Sequence, residues 1–176
     1  MHTPMKQTVN IQYHDSPCGT LILASAGNEL CLCDWHDKPC EERNKRRLAR
    51  LLHAEFVTAY SAVLEQAKQE LDEYFAGQRT AFDIPLRPVG TDFQKRVWRA
   101  LLDIPYGETR SYKDIALSVN NLRGVRAVAQ AIGANGMSIF IPCHRVLGYD
   151  HSLTGFAGGI EAKKTLLNIE NATDGQ

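Results

Sequence analysis

The stretch SYKDIALSVNNLRGVRAVAQAIGANG, residues 111–136, decides the fold of the second half of the chain. It contains two short amphipathic segments, 111–120 and 125–136, joined by a tight turn with a glycine. Ser111 is the expected N-cap of the first helix, and Gly136 is expected to end the second. Two short helices joined in this way are the sequence form of a helix-turn-helix. From the pattern alone, an ordinary helical hairpin stays open beside a DNA-binding one.

The segments around this pair predict a compact, mostly helical region. Residues 91–104 begin at a Thr or Asp cap and carry apolar residues every fourth position, which predicts a helix. Residues 138–148, SIFIPCHRVLG, predict a buried strand. The glycine-rich stretch 154–159 predicts a loop where backbones approach closely. Residues 160–170 predict a closing helix, and residues 171–176 a frayed tail.

The first half of the chain has a different pattern of apolar and turn residues. Three alternating or apolar runs separated by turn residues predict the strands of a meander, and two further segments predict helices. A stretch with two prolines and a glycine is the best candidate for a linker. The strands are 9–14, 20–25 and 30–36, the helices 41–50 and 61–77, and the linker 82–90.

Composition bounds the class of protein. The 176 residues are 44% hydrophobic and 23% charged, an ordinary balance for a globular protein. No apolar run approaches the ~20 residues of a membrane helix, and the start shows no signal peptide. Five cysteines without an export signal indicate reduced thiols and a cytoplasmic location.

Charge is unevenly distributed although the net charge is zero. Residues 1–90 carry 10 Lys+Arg against 12 Asp+Glu, and residues 91–170 carry 10 against 7. The mildly basic second half is compatible with a phosphate-binding face, although this signal is weak by itself.

A cysteine and a histidine stand side by side in IPCHRV, residues 141–146. Cys143 is a buried structural thiol, as cysteines outside disulfides often are, a metal ligand, or a nucleophile. A nucleophilic thiol has to lose its proton, and His144 is the nearest base. Such a base needs an orienting group, for which Glu170 and Asn135 are the candidates.

The other cysteines raise the question of a metal. Cys31, Cys33, His36 and Cys40 could form a Cys3His zinc site. The C-x-C spacing, however, puts Cys31 and Cys33 on one face of a strand, where small apolar residues are expected. We therefore favour core thiols and predict no metal site.

Taken together, these motifs resemble the O6-alkylguanine-DNA alkyltransferase family. The resemblance is dense over residues 91–170, where it rests on FQKRVWRAL, IPYGETRSYKDIA, VRAVAQAIGANG, IPCHRV and KKTLLNIE. It is thinner in residues 1–90, where DSPCGTLILA and LDEYFAGQ match in type. It implies an α/β, ribonuclease-H-like domain over residues 1–88. A mostly α, winged-helix-like DNA-binding domain follows over 91–170.

The resemblance also implies a reaction. The protein would bind duplex DNA as a monomer, flip out a guanine alkylated on O6, and move the alkyl group to its own Cys143. The thioether is irreversible, so each molecule would act once, without a cofactor. Activity on O4-alkylthymine stays open.

Site residues follow by matching positions to the family's motifs. The resemblance makes Cys143 the acceptor, His144 the residue that takes the thiol proton through a water, and Glu170 the carboxylate that orients His144. Asn135 would support the turn of the site.

Further positions match the family's contacts to DNA. Tyr112 would help to rotate the nucleotide and donate a proton toward the guanine ring, and Arg126 would fill the gap left in the stack. The remaining substrate- or DNA-binding residues implied are Asn121, Val146, Phe156, Ala157 and Gly158.

The chain departs from the family's pattern at several positions. Phe156 stands where many relatives have a tyrosine, so a hydroxyl contact is absent there. Some relatives bind zinc in the first domain, but Ala26 and Cys31 fall at two of those ligand positions. A non-catalytic branch lacks the cysteine, and Cys143 argues against that branch.

Three alternatives stay open beside this interpretation. A cysteine hydrolase would use Cys143 and His144 but turn over repeatedly. A DNA-binding module or damage sensor would hold Cys143 only as a core thiol. A helical domain with a buried thiol would have no affinity for DNA.

Overall fold

The computed structural model describes residue 3 and residues 5–174 of the chain. The chain divides into two compact units, Met1–Gly90 and Thr91–Gln176. The first contains a sheet with two helices, and the second is mostly helical.

The sheet of the first unit has four strands: β1 Gln7–Ser16, β2 Gly19–Ala26, β3 Glu29–Trp35 and β4 Ala54–Thr58. They lie in the order β3-β2-β1-β4. The predicted meander is confirmed, because β1, β2 and β3 pair antiparallel in sequence order. The fourth strand pairs parallel with β1 and was not predicted, since it is short and mostly exposed.

Both predicted helices of this unit are present, as α1 Pro39–Leu52 and α2 Ala62–Phe75. Ser61 caps α2 by accepting a hydrogen bond from the Leu64 amide. An apolar cluster joins β1, β2 and β3 to α1. Its buried members include Val9, Ile11, Ile22, Leu32 and Leu48.

The predicted linker at residues 82–90 is wrong in one respect. Its middle packs beside β3, because the Leu30 amide donates to the Pro85 carbonyl (2.9 Å) and the Arg87 amide to the Leu30 carbonyl (2.8 Å). Ile84 is buried. The segment therefore covers an open strand edge, which the sheet would otherwise expose.

The second unit carries the predicted helix-turn-helix. Helix α3 Asp92–Leu102 precedes the pair and begins with a capping box from Thr91 and Gln94. Helix α4 Tyr112–Ser118 begins at the predicted cap Ser111, and a 3-10 turn at Leu122–Gly124 leads into α5 Val125–Gly133. Helix α5 ends at Gly133 rather than at Gly136.

The buried strand predicted at residues 138–148 is wrong in conformation, although almost the whole segment is buried. Ile139 has a φ of 75°, and the Ile141 amide donates back to the Met137 carbonyl, so the chain turns there. Only β6 Val146–Leu147 is a strand, pairing parallel with β5 Arg110–Ser111. An apolar run marks burial but does not distinguish a strand from a buried turn.

The closing helix α6 spans Ile160–Asp174. The prediction of a frayed tail is therefore wrong for residues 171–174, which are helical, and residues 175–176 lie outside the described residues. Within the described part of the chain, no helix is long and apolar enough to cross a bilayer.

Candidate active site

Cys143 lies at the start of a buried 3-10 turn, Cys143–Arg145, with Pro142 at its N-cap. The Cys143 amide donates to the Ile141 carbonyl (2.8 Å), and the Arg145 amide donates to the Pro142 carbonyl (3.0 Å). Cys143 is 8% exposed. Because the chain turns at Pro142, Cys143 and His144 do not alternate across the faces of a strand.

His144 is fully buried and pairs with Glu170 from α6, with Nε2 and Oε1 2.9 Å apart. Burial by itself raises the pKa of Glu170, but the hydrogen bonds from His144 and Arg145 outweigh it and lower that pKa to about 2. Glu170 is therefore a carboxylate and accepts hydrogen bonds. Nε2 of His144 accordingly carries the proton, and Nδ1 carries the lone pair.

The ring nitrogen of His144 that can act as a base is Nδ1. Nδ1 of His144 is buried and has no hydrogen-bond partner within the described part of the chain. Burial lowers the pKa of His144 below 6.5, and the hydrogen bond to Glu170 only partly opposes this shift. A neutral imidazole with a free Nδ1 can accept a proton near neutral pH.

Arg145 belongs to the same cluster, and the sequence reasoning missed it. Its Nη2 and Nε donate to Glu170 at 2.7 and 3.0 Å, and its Nη1 donates to the Ile104 carbonyl at 2.6 Å. Glu170 is thus held by a bidentate guanidinium as well as by the imidazole. The position next to His144 in IPCHRV was the available signal, but its partners lie far away in sequence.

Lys163 was also missed, because a lysine on an amphipathic helix is usually exposed. It is 1% exposed, and its Nζ donates to the carbonyls of Val146 (2.7 Å) and Thr154 (2.9 Å). Burial lowers its pKa, and the charge interaction with Cys143 partly opposes this shift. The structure therefore places a buried amine near the thiol.

Asn135 makes two side-chain hydrogen bonds within the turn that precedes Cys143. Its Nδ2 donates to the Ile141 carbonyl (2.9 Å), and its Oδ1 accepts from the Met137 amide (2.9 Å). Both bonds bridge the residues around Ile139, which has the left-handed backbone. The structure thus brings Asn135 to the Cys143 turn, but not to His144 as the orienting group considered from sequence.

The predicted DNA-binding residues lie on the helix-turn-helix and its neighbouring loop. Tyr112 is half-buried at the first position of α4, and its hydroxyl accepts a hydrogen bond from Thr154 (3.3 Å). Arg126 is exposed at the second position of α5. Asn121 is half-buried before the 3-10 turn, where its side chain occupies the space beside Gly124.

The remaining predicted residues flank this region. Val146 is fully buried and pairs with Arg110 across the small sheet. Phe156, Ala157 and Gly158 are half-buried in the turn before α6, which the bond from the Gly159 amide to the Phe156 carbonyl closes.

Cys31 and Cys40 of the first unit are buried thiols. Burial raises the pKa of Cys31 to about 12, and burial together with Asp34 raises that of Cys40 to about 12. Among the described residues, the group that could hold a metal ion is instead His36, Asp37 and Glu41, and it contains no cysteine.

The second unit therefore combines a helix-turn-helix with a buried cysteine, a neutral histidine and an ionised glutamate. This combination defines a class of protein in which a helix-turn-helix scaffold carries a cysteine next to a histidine–glutamate pair. Comparison with known families and structures identifies the family within this class.

Two family models cover nearly the whole chain. The ribonuclease-like domain of 6-O-methylguanine DNA methyltransferase matches residues 9–88, and the DNA binding domain of the same family matches residues 92–172. A methylated-DNA–protein-cysteine methyltransferase of Methanosarcina barkeri is 43% identical over 156 residues, which are 89% of this chain and 93% of the relative.

Solved structures of methyltransferases resemble the structure of this chain. The O6-methylguanine methyltransferase of Mycobacterium tuberculosis is 41% identical with a TM-score of 0.79, covering 93% of both chains. A Mycobacterium tuberculosis structure in complex with DNA is 39% identical with a TM-score of 0.77, covering 94% of this chain and 93% of the other. The chain belongs to the methylated-DNA–protein-cysteine methyltransferase family. The predicted fold class, an α/β ribonuclease-like domain and a helical DNA-binding domain, is confirmed.

Proposed function

We propose that this protein repairs DNA by transferring the alkyl group of O6-alkylguanine to Cys143, once per molecule. The observation that carries the proposal is the buried pair of His144 and Glu170 beside Cys143. A tautomer fixed by Glu170 leaves Nδ1 of His144 to act as the base, which a merely structural thiol would not require.

The transfer step balances without a cofactor. His144 accepts the thiol proton through a water, and the Cys143 sulfur attacks the alkyl carbon bound to guanine O6. A carbon–sulfur bond forms while the carbon–oxygen bond breaks, and its electron pair leaves with the guanine. Protonation of the guanine ring, for which Tyr112 is the proposed donor, completes the exchange.

Lys163 and Arg145 complete this assignment. The amine of Lys163 holds the carbonyls of Val146 and Thr154 together, and Arg145 keeps Glu170 ionised and in place. Neither residue has to change its protonation state during the transfer.

The proposed DNA partner rests on the helix-turn-helix and on the relative solved with DNA. Arg126 on α5 would fill the gap in the base stack, and Asn121, just before the 3-10 turn, would also contact the DNA. The backbone at Val146 and the turn at residues 156–158 would hold the extruded base, since chemistry on a base atom requires extrusion from the duplex. We propose a monomer acting in the cytoplasm, a reducing compartment that suits five cysteines that form no disulfide.

Stoichiometric transfer tests this proposal. The protein is mixed with a duplex that carries one labelled O6-methylguanine, and the intact mass and the modified peptide are determined. The expected result is one methyl group on Cys143 and no further turnover. Absence of label on a folded protein that binds the lesion would overturn the proposal.

The same assay separates the alternatives. A cysteine hydrolase would release product repeatedly and leave no stable adduct. A DNA-binding module would behave identically with and without the thiol, so Cys143→Ala is the discriminating variant. We expect Cys143→Ala to bind the duplex with unchanged affinity and to transfer nothing.

A further inference from the structure

A cleft of about 720 Å³ lies between helices α3 and α4 of the second unit. Its lining includes Arg96 and Arg99 from α3, and Arg110 from the segment that joins the two helices. We call it the arginine cleft. A smaller cleft of about 380 Å³ shares Arg96 and Arg99 and adds Lys95. A concave surface lined by several cations favours an anionic partner.

The two arginines of α3 have no counter-charge within the protein. Arg96 and Arg99 are exposed and stand three residues apart, so they lie on one face of the helix. Among residues 5–174, neither forms an ion pair, whereas Arg110 and Arg145 each pair with a glutamate. The guanidinium of Arg96 lies over the ring of Phe93, 5.5 Å from its centroid. Both guanidiniums are therefore available to an anion from outside.

Carboxylates also line the arginine cleft, and their partners decide its balance of charge. Asp114 accepts a hydrogen bond from the Ser111 amide (2.8 Å) in the capping box of α4. Arg110 directs one guanidinium nitrogen to Glu108 (2.9 Å). Asp103 is exposed at the C-cap of α3. The two arginines of α3 thus face a single carboxylate, that of Asp103, that no hydrogen bond or cation engages among the described residues.

The place of the cleft in the helix-turn-helix indicates which anion it takes. Helices α3, α4 and α5 pack against one another in pairs, and the described residues that line the cleft include none from α5. In the three-helix homeodomain form, the third helix enters a groove while the segment joining the first two contacts the sugar–phosphate backbone. Arg99 is in the last turn of α3, at the start of the corresponding segment here.

We propose that Arg96 and Arg99 bind phosphates of the duplex, outside the nucleotide that is extruded. The inference rests on the proposed function, because it requires DNA at the helix-turn-helix. A planar guanidinium suits a phosphate, which it can bind through two parallel hydrogen bonds. Phosphate contacts fix the position of a protein on the duplex without reading its sequence. The two arginines are therefore positioning residues that never touch the alkyl group.

The test compares Arg96→Gln, Arg99→Gln and the double variant with the wild type, with Arg46→Gln as the matched control. Arg46 is an exposed arginine on helix α1 of the first unit, so its substitution removes the same charge. Affinity for an undamaged duplex is measured from about 50 to 200 mM salt. The rate of methyl transfer to Cys143 is measured with a lesion duplex and, separately, with the free base O6-methylguanine, which has no phosphate. Thermal unfolding checks that each variant is folded.

Each phosphate contact that is lost should reduce the slope of log affinity against log salt by about 0.9. For the double variant, the wild type's advantage in affinity should therefore shrink about twelvefold between about 50 and 200 mM salt, which is what a slope difference of about 1.8 gives. Transfer from a subsaturating lesion duplex should slow as binding weakens. Arg46→Gln should match the wild type, and the reaction with the free base should be unchanged in every variant.

The inference fails, with the proposed function intact, when the double variant keeps the salt slope of Arg46→Gln and still transfers from the lesion duplex. It also fails when the double variant loses as much rate on the free base as on the duplex, because the arginines would then support the acceptor site. A wild type that transfers from neither substrate would instead remove the proposed function. The salt slopes, measured with an undamaged duplex, would still decide whether the arginine cleft binds DNA.

Discussion

The carboxylate of Glu170 accepts hydrogen bonds from two different side chains. It accepts from Nε2 of His144 and from the guanidinium of Arg145, with all three side chains buried. Removal of one partner from a buried ion pair leaves the other charge buried without a counter-charge, which strongly destabilises the folded state. The cluster thus ties the protonation state of His144 to the stability of the second unit.

Glu170→Gln tests this coupling, because the variant keeps the shape and removes the charge. We expect the free energy of unfolding to fall by about 3–5 kcal/mol. Transfer should also slow, because a neutral amide no longer fixes the tautomer of His144. Urea denaturation and the methyl-transfer rate measure the two effects. Glu161→Gln, on the exposed first turn of the same helix, should change stability by less than about 0.5 kcal/mol.

Acid should weaken the fold through the same two groups. The pKa of Glu170 is about 2 in the folded protein against an ordinary 4.5, so its stabilisation is complete above pH 4.5 and is lost as the pH falls toward 2. The pKa of His144 is lowered from 6.5, so the unfolded chain gains a proton first and stability also falls below pH 6.5. Denaturation from pH 8 to pH 3 should therefore show a decline that starts near pH 6.5.

A variant separates the two contributions to acid sensitivity. Glu170→Gln should flatten the decline below pH 4.5, since its amide does not titrate. An equally steep decline in the variant would contradict the assignment to Glu170.

Lys163 is a buried cation that has no carboxylate partner among its hydrogen bonds. Its amine donates to two backbone carbonyls instead. Lys163→Met keeps the length of the side chain and leaves the carbonyls of Val146 and Thr154 without this donor. Each unsatisfied buried group costs about 1–3 kcal/mol. We expect the amides of Gly148 and His151 to exchange with deuterium faster, because their loop loses its anchor.

The neighbouring lysine is the matched control for this variant. Lys164→Met removes an exposed charge that pairs with Glu161 at the surface. Such pairs contribute little, so loop exchange should be unchanged. Equal exchange in both variants would show that Lys163 does not anchor the loop.

At the scale of elements, the sequence predicted what periodicity and capping encode. Ser111 was placed correctly as the cap of α4, and the helices of both units were expected. The segment 138–148 was assigned wrongly, because its conformation depends on side-chain bonds from Asn135 that no local pattern shows. Arg145 was missed because its partners Glu170 and Ile104 are distant in sequence, and Lys163 because a lysine on an amphipathic helix is usually exposed.

A substitution of Asn135 tests what holds the turn that carries Cys143. Asn135→Ala would leave the Met137 amide and the Ile141 carbonyl without their buried partner. We expect a loss of about 2–4 kcal/mol in unfolding free energy and a slower transfer, because Ile139 holds its left-handed φ only while the turn is closed. Asn168→Ala on the exposed face of α6 is the control, and equal stability of the two variants would contradict the role given to Asn135.

At the scale of the whole molecule, the residues proposed for chemistry all fall in one of the two compact units. The unit Thr91–Gln176 contains the Cys143 turn, the His144–Glu170 pair and Asn135 with its two hydrogen bonds to the turn. The α3 cap also belongs to this unit, because Thr91 both donates to and accepts from Gln94. The first unit has its own apolar cluster around β1, β2 and α1.

We therefore predict that residues 90–176, expressed alone, fold and transfer a methyl group to Cys143. Starting at Gly90 retains the peptide group before Thr91 and with it the capping box of α3. A domain of this size buries a smaller fraction of its surface than the full chain, so its melting temperature should be lower. Circular dichroism and the labelled-duplex assay measure folding and transfer. A folded fragment that leaves Cys143 unmodified would show that the first unit contributes to the chemistry itself.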